Sequence, residues 1–131
     1  WHSINRMYNQ EAVHYDLTTS TGFVLLNIDS KNGTPATKIA PLLGMEPRSL
    51  SRMLKSLEEK GLIFRKTDAK DKRFVKICLT ELGKEKKDIA KKTVKRFNQV
   101  VKNEIPDEKL RVFFEVLGNI QSIIESNHIF N

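Results

Sequence analysis

The sequence predicts a mainly helical protein that contains one small β-hairpin. Apolar residues recur every three or four positions through most of the 131 residues, which is the spacing of helices that bury one face. Between residues 62 and 79 the spacing changes to two, which is typical of strands. No linker rich in glycine, proline or serine divides the chain. We therefore expect a single unit over residues 1–131.

Two helices are predicted before residue 34. The first covers residues 1–16, where apolar side chains fall at helical spacing at Trp1, Ile4, Met7, Tyr8 and Val13. We expect further residues upstream of Trp1, because a chain ordinarily begins with methionine. The second helix is predicted to start at the hydroxyl residues 18–20, which suit a helix cap, and to end at Asn32-Gly33.

Two short helices are predicted next. The first starts at Pro35 and ends at Gly44, and the second runs from Pro47 to about Lys60. The second has a core-facing stripe at i, i+3, i+4 and i+7, made of Leu50, Met53, Leu54 and Leu57. Its other face carries Arg48, Ser49, Ser51, Arg52 and Lys55. Two short helices joined by a tight glycine turn form a helix-turn-helix.

A hairpin follows this pair of helices. Residues 62–66 and 73–79 are the predicted strands, and Val75, Ile77 and Leu79 share one face of the second. The polar segment 67–72 between them cannot be core, so we expect it to project into solvent or toward a ligand. A helix-turn-helix followed by a basic hairpin is a winged helix, and we assign it to residues 17–83.

The last part of the chain is predicted to hold two further helices. A long connecting helix covers residues 84–103, and Ile105-Pro106 breaks it because proline disfavours helix in the preceding residue. The final helix is too apolar for one small domain to cover, which favours a partner subunit. We predict dimerisation through residues 1–16 and 104–131, with contacts from Ile4, Leu110, Phe113, Phe114, Leu117, Ile120 and Ile124.

The charge is concentrated in the middle of the chain. Of the net +7, residues 34–83 contribute +5 and residues 84–103 contribute +6, while both ends are mildly acidic. This distribution predicts a surface that faces a polyanion. For the lysine-rich helix two interpretations stay open: Lys84, Lys86 and Lys87 contact phosphates, or they only keep the protein soluble.

Two features bear on the compartment. The longest apolar run, Phe23 to Leu26, is far shorter than the roughly 18 residues of a membrane-spanning helix, so we expect no membrane partner. The one cysteine, Cys78, cannot form an intramolecular disulfide, which fits a reducing cytoplasm.

A winged helix has defined tasks on duplex DNA. We predict that Arg48, Ser49 and Arg52 reach base edges in the major groove. Phosphate contacts are predicted from Thr37, Ser51 and Lys55, since they set the register without reading sequence. On the wing we predict backbone or minor-groove contacts from Lys70, Lys72 and Arg73, with Asp71 orienting Arg73. Each residue alone could be a solvated surface group, but as an ordered set they favour DNA binding.

Three segments resemble the signature of the MarR family of bacterial regulators. They are the run from Ser51 to Ile63, the D-x-x-D-x-R pattern of residues 68–73, and the L-T-x-x-G pattern of residues 79–83. The resemblance covers essentially the whole chain. It implies a homodimer with two winged helices on a pseudo-palindromic operator, and a regulator, usually a repressor, whose DNA affinity often falls when a small ligand or an oxidant acts. It also implies that Arg73 enters the minor groove with Asp71 as its salt-bridge partner.

The sensing chemistry is less defined. Family members that sense peroxide use a cysteine in the N-terminal helical region, whereas Cys78 lies in the second wing strand, where a thiol is usually an inert packing group. The histidines and the cysteine are scattered without ligand spacing, so no metal or cofactor is predicted. One candidate pocket for a small-molecule effector is lined by Tyr8, His14, Tyr15 and Phe23. Aromatic residues at this spacing are more often part of the core.

The sequence also bears on two other function classes. The chain has no glycine-rich phosphate loop, no Gly-x-Ser-x-Gly elbow and no His-Glu-x-x-His motif, which argues against an enzyme. A winged helix used for protein or RNA contact is the remaining alternative, because fold alone does not fix function. Such a protein-binding surface would more often be apolar where this chain has arginine and serine.

Overall fold

A computed structural model describes residues 1–67, 69–126 and 128–130. The chain divides into two compact units, Trp1–Thr93 and Val94–Asn131. In chain order the elements are α1 (His2–Val13), α2 (Thr19–Leu26), β1 (Thr34–Pro35), α3 (Ala36–Leu43), α4 (Pro47–Glu59), β2 (Ile63–Thr67), β3 (Val75–Leu79), α5 (Glu81–Glu104) and α6 (Asp107–Glu125). The predicted mainly helical fold with a hairpin wing is confirmed.

The sheet has one strand more than predicted. Its order is β1-β3-β2, and both pairings are antiparallel. The extra strand, β1, pairs Thr34 with Ile77 and Pro35 with Lys76. The strands of the hairpin are also shifted, because Arg73 and Phe74 lie in the turn before β3 and not in the strand, as the hydrogen bond from Phe74 N to Asp71 O (3.1 Å) shows.

The predicted end of α2 at Asn32-Gly33 is wrong. The helix stops at Leu26, and the Asn27 side chain donates to the Phe23 carbonyl at 2.8 Å. A turn then forms around Asp29, whose carboxylate accepts the backbone N–H groups of residues 31 and 32 at 2.9 and 2.7 Å. Gly33 adopts φ +73°, which glycine tolerates, and leads the chain into β1.

The core of the first unit lies where the helices meet the inner face of the sheet. Helices α2, α3 and α4 contribute Leu25, Ile39 and Leu57, and the strands contribute Ile63 and Ile77, all of them buried. The start of α2 is also tied to α1, since the Asn9 side-chain oxygen accepts from Thr19 N at 2.9 Å and from Thr19 Oγ1 at 2.8 Å. This core fixes α4 and the hairpin on one framework.

The second unit consists of the end of α5 followed by α6. Helix α6 begins immediately after Pro106, as the sequence predicted. Its apolar side chains are largely exposed, including Phe113, Phe114, Leu117, Ile120 and Ile124. Among the described residues, no helix is both long enough and apolar enough to cross a membrane.

Candidate nucleic-acid interface

Helix α4 separates an apolar face from a cationic face. Leu50, Leu54 and Leu57 are buried in the core. The residues predicted to contact DNA from this helix are all exposed, namely Arg48, Ser49, Ser51, Arg52 and Lys55. Pro47 stands in the first turn, where its missing N–H leaves no bond unmade. The helix therefore presents guanidinium, ammonium and hydroxyl groups outward from a fixed apolar base.

Two hydroxyl groups were predicted to contact phosphates. The Ser51 hydroxyl donates to the Pro47 carbonyl at 2.9 Å within α4, so its lone pairs face outward while its proton is engaged. To donate a hydrogen bond to a phosphate, the Ser51 hydroxyl must first rotate away from the Pro47 carbonyl. Thr37 is exposed in the first turn of α3.

The tip of the hairpin holds an arginine in a fixed position. Asp71 Oδ1 accepts from the Arg73 backbone N–H at 3.0 Å and from Arg73 Nε at 3.1 Å, and Oδ2 accepts from Arg73 Nη2 at 3.1 Å. The Arg73 side chain is nevertheless 89% exposed. The guanidinium of Arg73 and then its backbone N–H hold the pKa of Asp71 below its usual range. A bidentate pair of this kind restricts the arginine rotamer without covering its outer edge.

The other predicted tip residues, Lys70 and Lys72, are also exposed. They stand on either side of Asp71 in the sequence, so the described part of the tip carries more positive than negative charge. Asp68, the first residue of the D-x-x-D-x-R pattern, lies outside the described residues.

The base of the hairpin is fixed to α4 and α5 by contacts that sequence reasoning missed. Arg65 Nε lies 3.5 Å from Glu58 Oε2, which joins β2 to α4 across the surface. The Thr80 hydroxyl donates to the Gly61 carbonyl at 2.6 Å and accepts from Gly83 N at 3.0 Å. Thr80 therefore caps α5 and holds the end of α4 at the same time.

Gly83 permits this junction to be tight. A Cβ added at this glycine would lie 1.9 Å from the Leu62 carbonyl oxygen. The L-T-x-x-G pattern thus has a physical explanation, because its threonine bridges two elements and its glycine lets α5 approach the backbone of the hairpin. The sequence contained the signal, but only the structure shows which partners these residues have.

The three lysines at the start of α5 make contacts within the first unit. Lys86 Nζ donates to the Tyr15 carbonyl at 2.7 Å, and Lys87 Nζ donates to the Ile28 carbonyl at 2.5 Å. Lys84 Nζ lies 3.1 Å from Glu81 Oε1, one turn earlier on the same helix. Lys86 and Lys87 therefore join α5 to the segments that follow α1 and α2, an arrangement that neither interpretation of the lysine-rich helix included.

The four residues proposed for an effector pocket are not equivalent. Tyr8 and Phe23 pack edge to face with ring centroids 6.0 Å apart, and partial burial raises the pKa of the Tyr8 phenol. Tyr15 packs partly buried against the core, while His14 is exposed just after α1. A surface pocket on α1 is lined by other residues: His2, Asn5, Arg6, Asn9, Gln10 and Val13.

The residues predicted for dimerisation are exposed, except Leu110, which is half-buried. Ile4 of α1 is 41% exposed, and the α6 residues range from half-buried Leu110 to Phe114 at 65%. Phe113 and Phe114 contact each other with ring centroids 5.4 Å apart. In the described part of the chain no group of three histidine, cysteine, aspartate or glutamate side chains is arranged to hold a metal ion.

Comparisons with known proteins agree with this geometry. The family model described as "MarR family" matches residues 17–75, which include α2 to β2 and the hairpin tip. A curated relative, the HTH-type transcriptional regulator SarZ of Staphylococcus aureus strain USA300, is 29% identical over 125 residues, which cover 95% of this chain and 80% of SarZ.

Two solved structures extend the comparison to ligands. A MepR variant of S. aureus bound to an oligodeoxyribonucleotide has a TM-score of 0.63 and 25% identity, covering 94% of this chain and 91% of MepR. CouR of Rhodococcus jostii RHA1 bound to p-coumaroyl-CoA has a TM-score of 0.79 and 26% identity, covering 91% of this chain and 84% of CouR. The matched winged helix, the SarZ relative and the shared fold make this chain similar to the MarR family of DNA-binding transcriptional regulators.

Proposed function

We propose that this protein is a sequence-specific regulator that binds double-stranded DNA as a homodimer on a pseudo-palindromic operator, represses transcription there, and is released by a small ligand. The observation that carries the proposal is the division of α4 into a buried leucine face and an exposed face with Arg48 and Arg52. A helix of about this size fits the major groove, where arginine makes bidentate bonds to guanine.

Recognition of bases is assigned to the first half of α4. Arg48, Ser49 and Arg52 lie within its first two turns, which is the part of a recognition helix that contacts base edges. Lys55 lies one turn further along the helix. Together with Ser51 and Thr37 it contacts phosphates. The set combines specificity with an electrostatic contribution that depends on salt.

The wing adds a second contact. The guanidinium of Arg73 is exposed and held by Asp71, which suits insertion into a narrow minor groove with enhanced negative potential. Lys70 and Lys72 beside it are placed to neutralise phosphates. Asp71 acts as a positioning residue in this proposal and does not touch DNA.

The homodimer is supported by the apolar surface of α6. Exposed contiguous apolar surface of this extent is typical of subunit interfaces, and Phe113, Leu117 and Ile120 are all more than 40% exposed. We assign dimerisation to residues 1–16 and 104–131, the winged helix to 17–83 and the connecting role to 84–103. Repression is what the resemblance to the family implies, and action in the cytoplasm is what the single cysteine, Cys78, fits.

A small effector is assigned to the region of α1 and α2 that contains Tyr8, His14, Tyr15 and Phe23. The edge-to-face pair of Tyr8 and Phe23 provides an aromatic surface, and the CouR complex supports ligand binding on this fold. Thermal-shift screening against aromatic acids and acyl thioesters tests this part. A ligand that raises the melting temperature and lowers DNA affinity is expected to lose both effects in Phe23→Ala.

The decisive experiment is selection of bound sequences from a random duplex pool at about 150 mM salt, where weak non-specific binding is screened. We expect a palindrome with half-sites about one helical turn apart.

Sedimentation equilibrium on the wild type and on Leu117→Asp tests the dimer. The variant is expected to be monomeric and to select no palindromic sequence. The proposal would be contradicted if the protein is folded and dimeric but the selection yields no sequence motif, either in the absence or in the presence of a ligand. That result would favour protein or RNA contact.

A further inference from the structure

Two lysines face each other across the hairpin. In the register of β2 and β3, Lys66 lies directly opposite Lys76. Side chains directly opposite in antiparallel strands have Cβ atoms about 4.5–5.5 Å apart, and like charges in such positions destabilise the sheet. We call Lys66 and Lys76 the lysine pair.

The lysine pair lies on the outer face of the sheet. The inner face is buried at Ile63, Ile77 and Leu79, and successive strand residues point to opposite faces. Lys66 is exposed, and Lys76, on the central strand, is half-buried. Phe64, two residues before Lys66 in β2, shares this outer face and is 46% exposed.

Two arginines of the hairpin have carboxylate partners, whereas the lysine pair has none in the described part of the chain. Arg65 pairs with Glu58 at 3.5 Å, and Arg73 pairs with Asp71 at 3.1 Å. Within residues 1–67, 69–126 and 128–130, neither Lys66 nor Lys76 forms an ion pair. The repulsion between them is therefore not offset by these residues, and departures from local rules of this kind are expected at functional sites.

The position of the lysine pair next to the hairpin tip indicates which anion binds to it. A single residue pair, Thr67 opposite Val75, separates the lysine pair from the turn that carries Arg73. Residues 63–79 contain six lysines and arginines against two aspartates. The cationic surface thus continues from the tip along the outer face of the hairpin, so the polyanion contacted by the tip can also reach the pair.

We propose that Lys66 and Lys76 form a phosphate-binding site on the outer face of the wing, which takes the sugar–phosphate backbone of the DNA that Arg73 enters. The proposal rests on the proposed function, and it adds a contact outside the recognition helix and the tip. A phosphate placed between two ammonium groups removes their repulsion, while the ring of Phe64 lies beside the sugar. The site contributes affinity and carries no sequence preference.

The double variant Lys66→Gln/Lys76→Gln tests the site. The probe is the duplex recovered by the selection described above, titrated between 50 and 200 mM salt, a range in which phosphate contacts are distinguished by slope. For each lysine lost, the slope of log affinity against log salt should become shallower by about 0.9 per protomer. Base preference should not change, and the melting temperature of the free protein should equal or exceed that of the wild type.

Two controls define the result. Lys31→Gln/Lys60→Gln removes the same charge from exposed positions outside the hairpin and should leave the slope close to that of the wild type. Lys66→Arg/Lys76→Arg should retain the wild-type slope. A folded glutamine variant with the wild-type slope overturns the inference while operator binding stands. A wild-type protein that binds no duplex overturns the proposed function, and the inference with it.

Discussion

Lys86 of α5 donates a hydrogen bond of 2.7 Å to the backbone carbonyl of Tyr15, a residue 71 positions earlier in the chain. The neighbouring Lys87 reaches the Ile28 carbonyl in the same way. Carbonyls near a helix end lack partners within the helix, and a cation there also interacts favourably with the helix dipole. These two lysines therefore stabilise the junction of α1, α2 and α5.

Replacing Lys86 with methionine should lower the free energy of unfolding by about 1 kcal/mol, because the stem is retained but the charged donor is lost. Urea denaturation measures this change. Lys84→Met is the matched control, since its bond to Glu81 is a surface pair within one helix and is worth only a few tenths of a kcal/mol. The salt dependence of DNA binding should be the same in both variants as in the wild type. A shallower salt slope with unchanged stability would instead make Lys86 a phosphate contact.

Asp71→Asn should weaken DNA binding although it removes a negative charge near the DNA. The substitution ends the charge-assisted fork on Arg73, so the guanidinium samples other rotamers before it binds. Arg73→Ala should cost more, about 1–3 kcal/mol of binding free energy. Fluorescence anisotropy on the selected operator gives both values. If Asp71→Asn binds more tightly than the wild type, the aspartate only repels DNA and does not position Arg73.

The ion pair at the tip should persist through mildly acidic pH. Because the folded state lowers the pKa of Asp71, its contribution is fully present above the unfolded value of about 3.9 and is lost as the pH falls through the folded value. The pKa of Asp29 should be lowered as well, because the backbone N–H groups of Asn32 and then Lys31 favour its charged form. NMR titration of the two carboxyl groups measures both midpoints. A midpoint for Asp71 at or above the unfolded value would contradict the pair in solution.

Arg52→Ala should broaden the set of sequences that the protein binds, in addition to costing about 1–3 kcal/mol on the parent operator. Lys55→Ala is the comparison, because a phosphate contact contributes the same affinity to every sequence. Repeating the selection with each variant separates the two roles. Unchanged base preference in Arg52→Ala would assign this arginine to the backbone.

Gly83→Ala should destabilise the protein by about 1–3 kcal/mol or more, because the added methyl group meets a backbone carbonyl that cannot give way easily. Gly22→Ala is the control: its added Cβ would contact the Ala90 side chain at an ordinary 3.9 Å. Thermal unfolding of both variants measures the difference. Equal melting temperatures would mean that α5 shifts away from the hairpin without cost.

The helices were predictable because their signals are local. Gly44 in the left-handed conformation ends α3, and Pro47 begins α4, as the sequence indicated. Strand β1 was not predictable, since two residues carry no alternation and are a strand only through pairing with β3. The end of α2 was missed for a related reason: the Asp29 turn competes with the helix through side-chain bonds that apolar spacing does not report.

The candidate site shows the same division. The exposed cationic and hydroxyl residues of α4 and of the hairpin tip could be predicted from the spacing of apolar residues and from the charge distribution. This was possible because exposure on a known element is a local property. The partners of Thr80 and Lys86 depend on residues 19 and 71 positions away, so composition alone showed only a threonine in a motif and a lysine in a basic run. Long-range contacts of this kind require the folded chain.

The short edge strand has a consequence for how the protein behaves at high concentration. Sheets with open edges recruit strands from other molecules, because unpaired N–H and C=O groups form a template for association. Here the edge beyond β3 is occupied by only two residues, and the second is Pro35, which has no N–H to offer. At this edge of the sheet, a strand that is too short to be extended limits pairing with strands of other molecules. The opposite edge is formed by the five-residue β2.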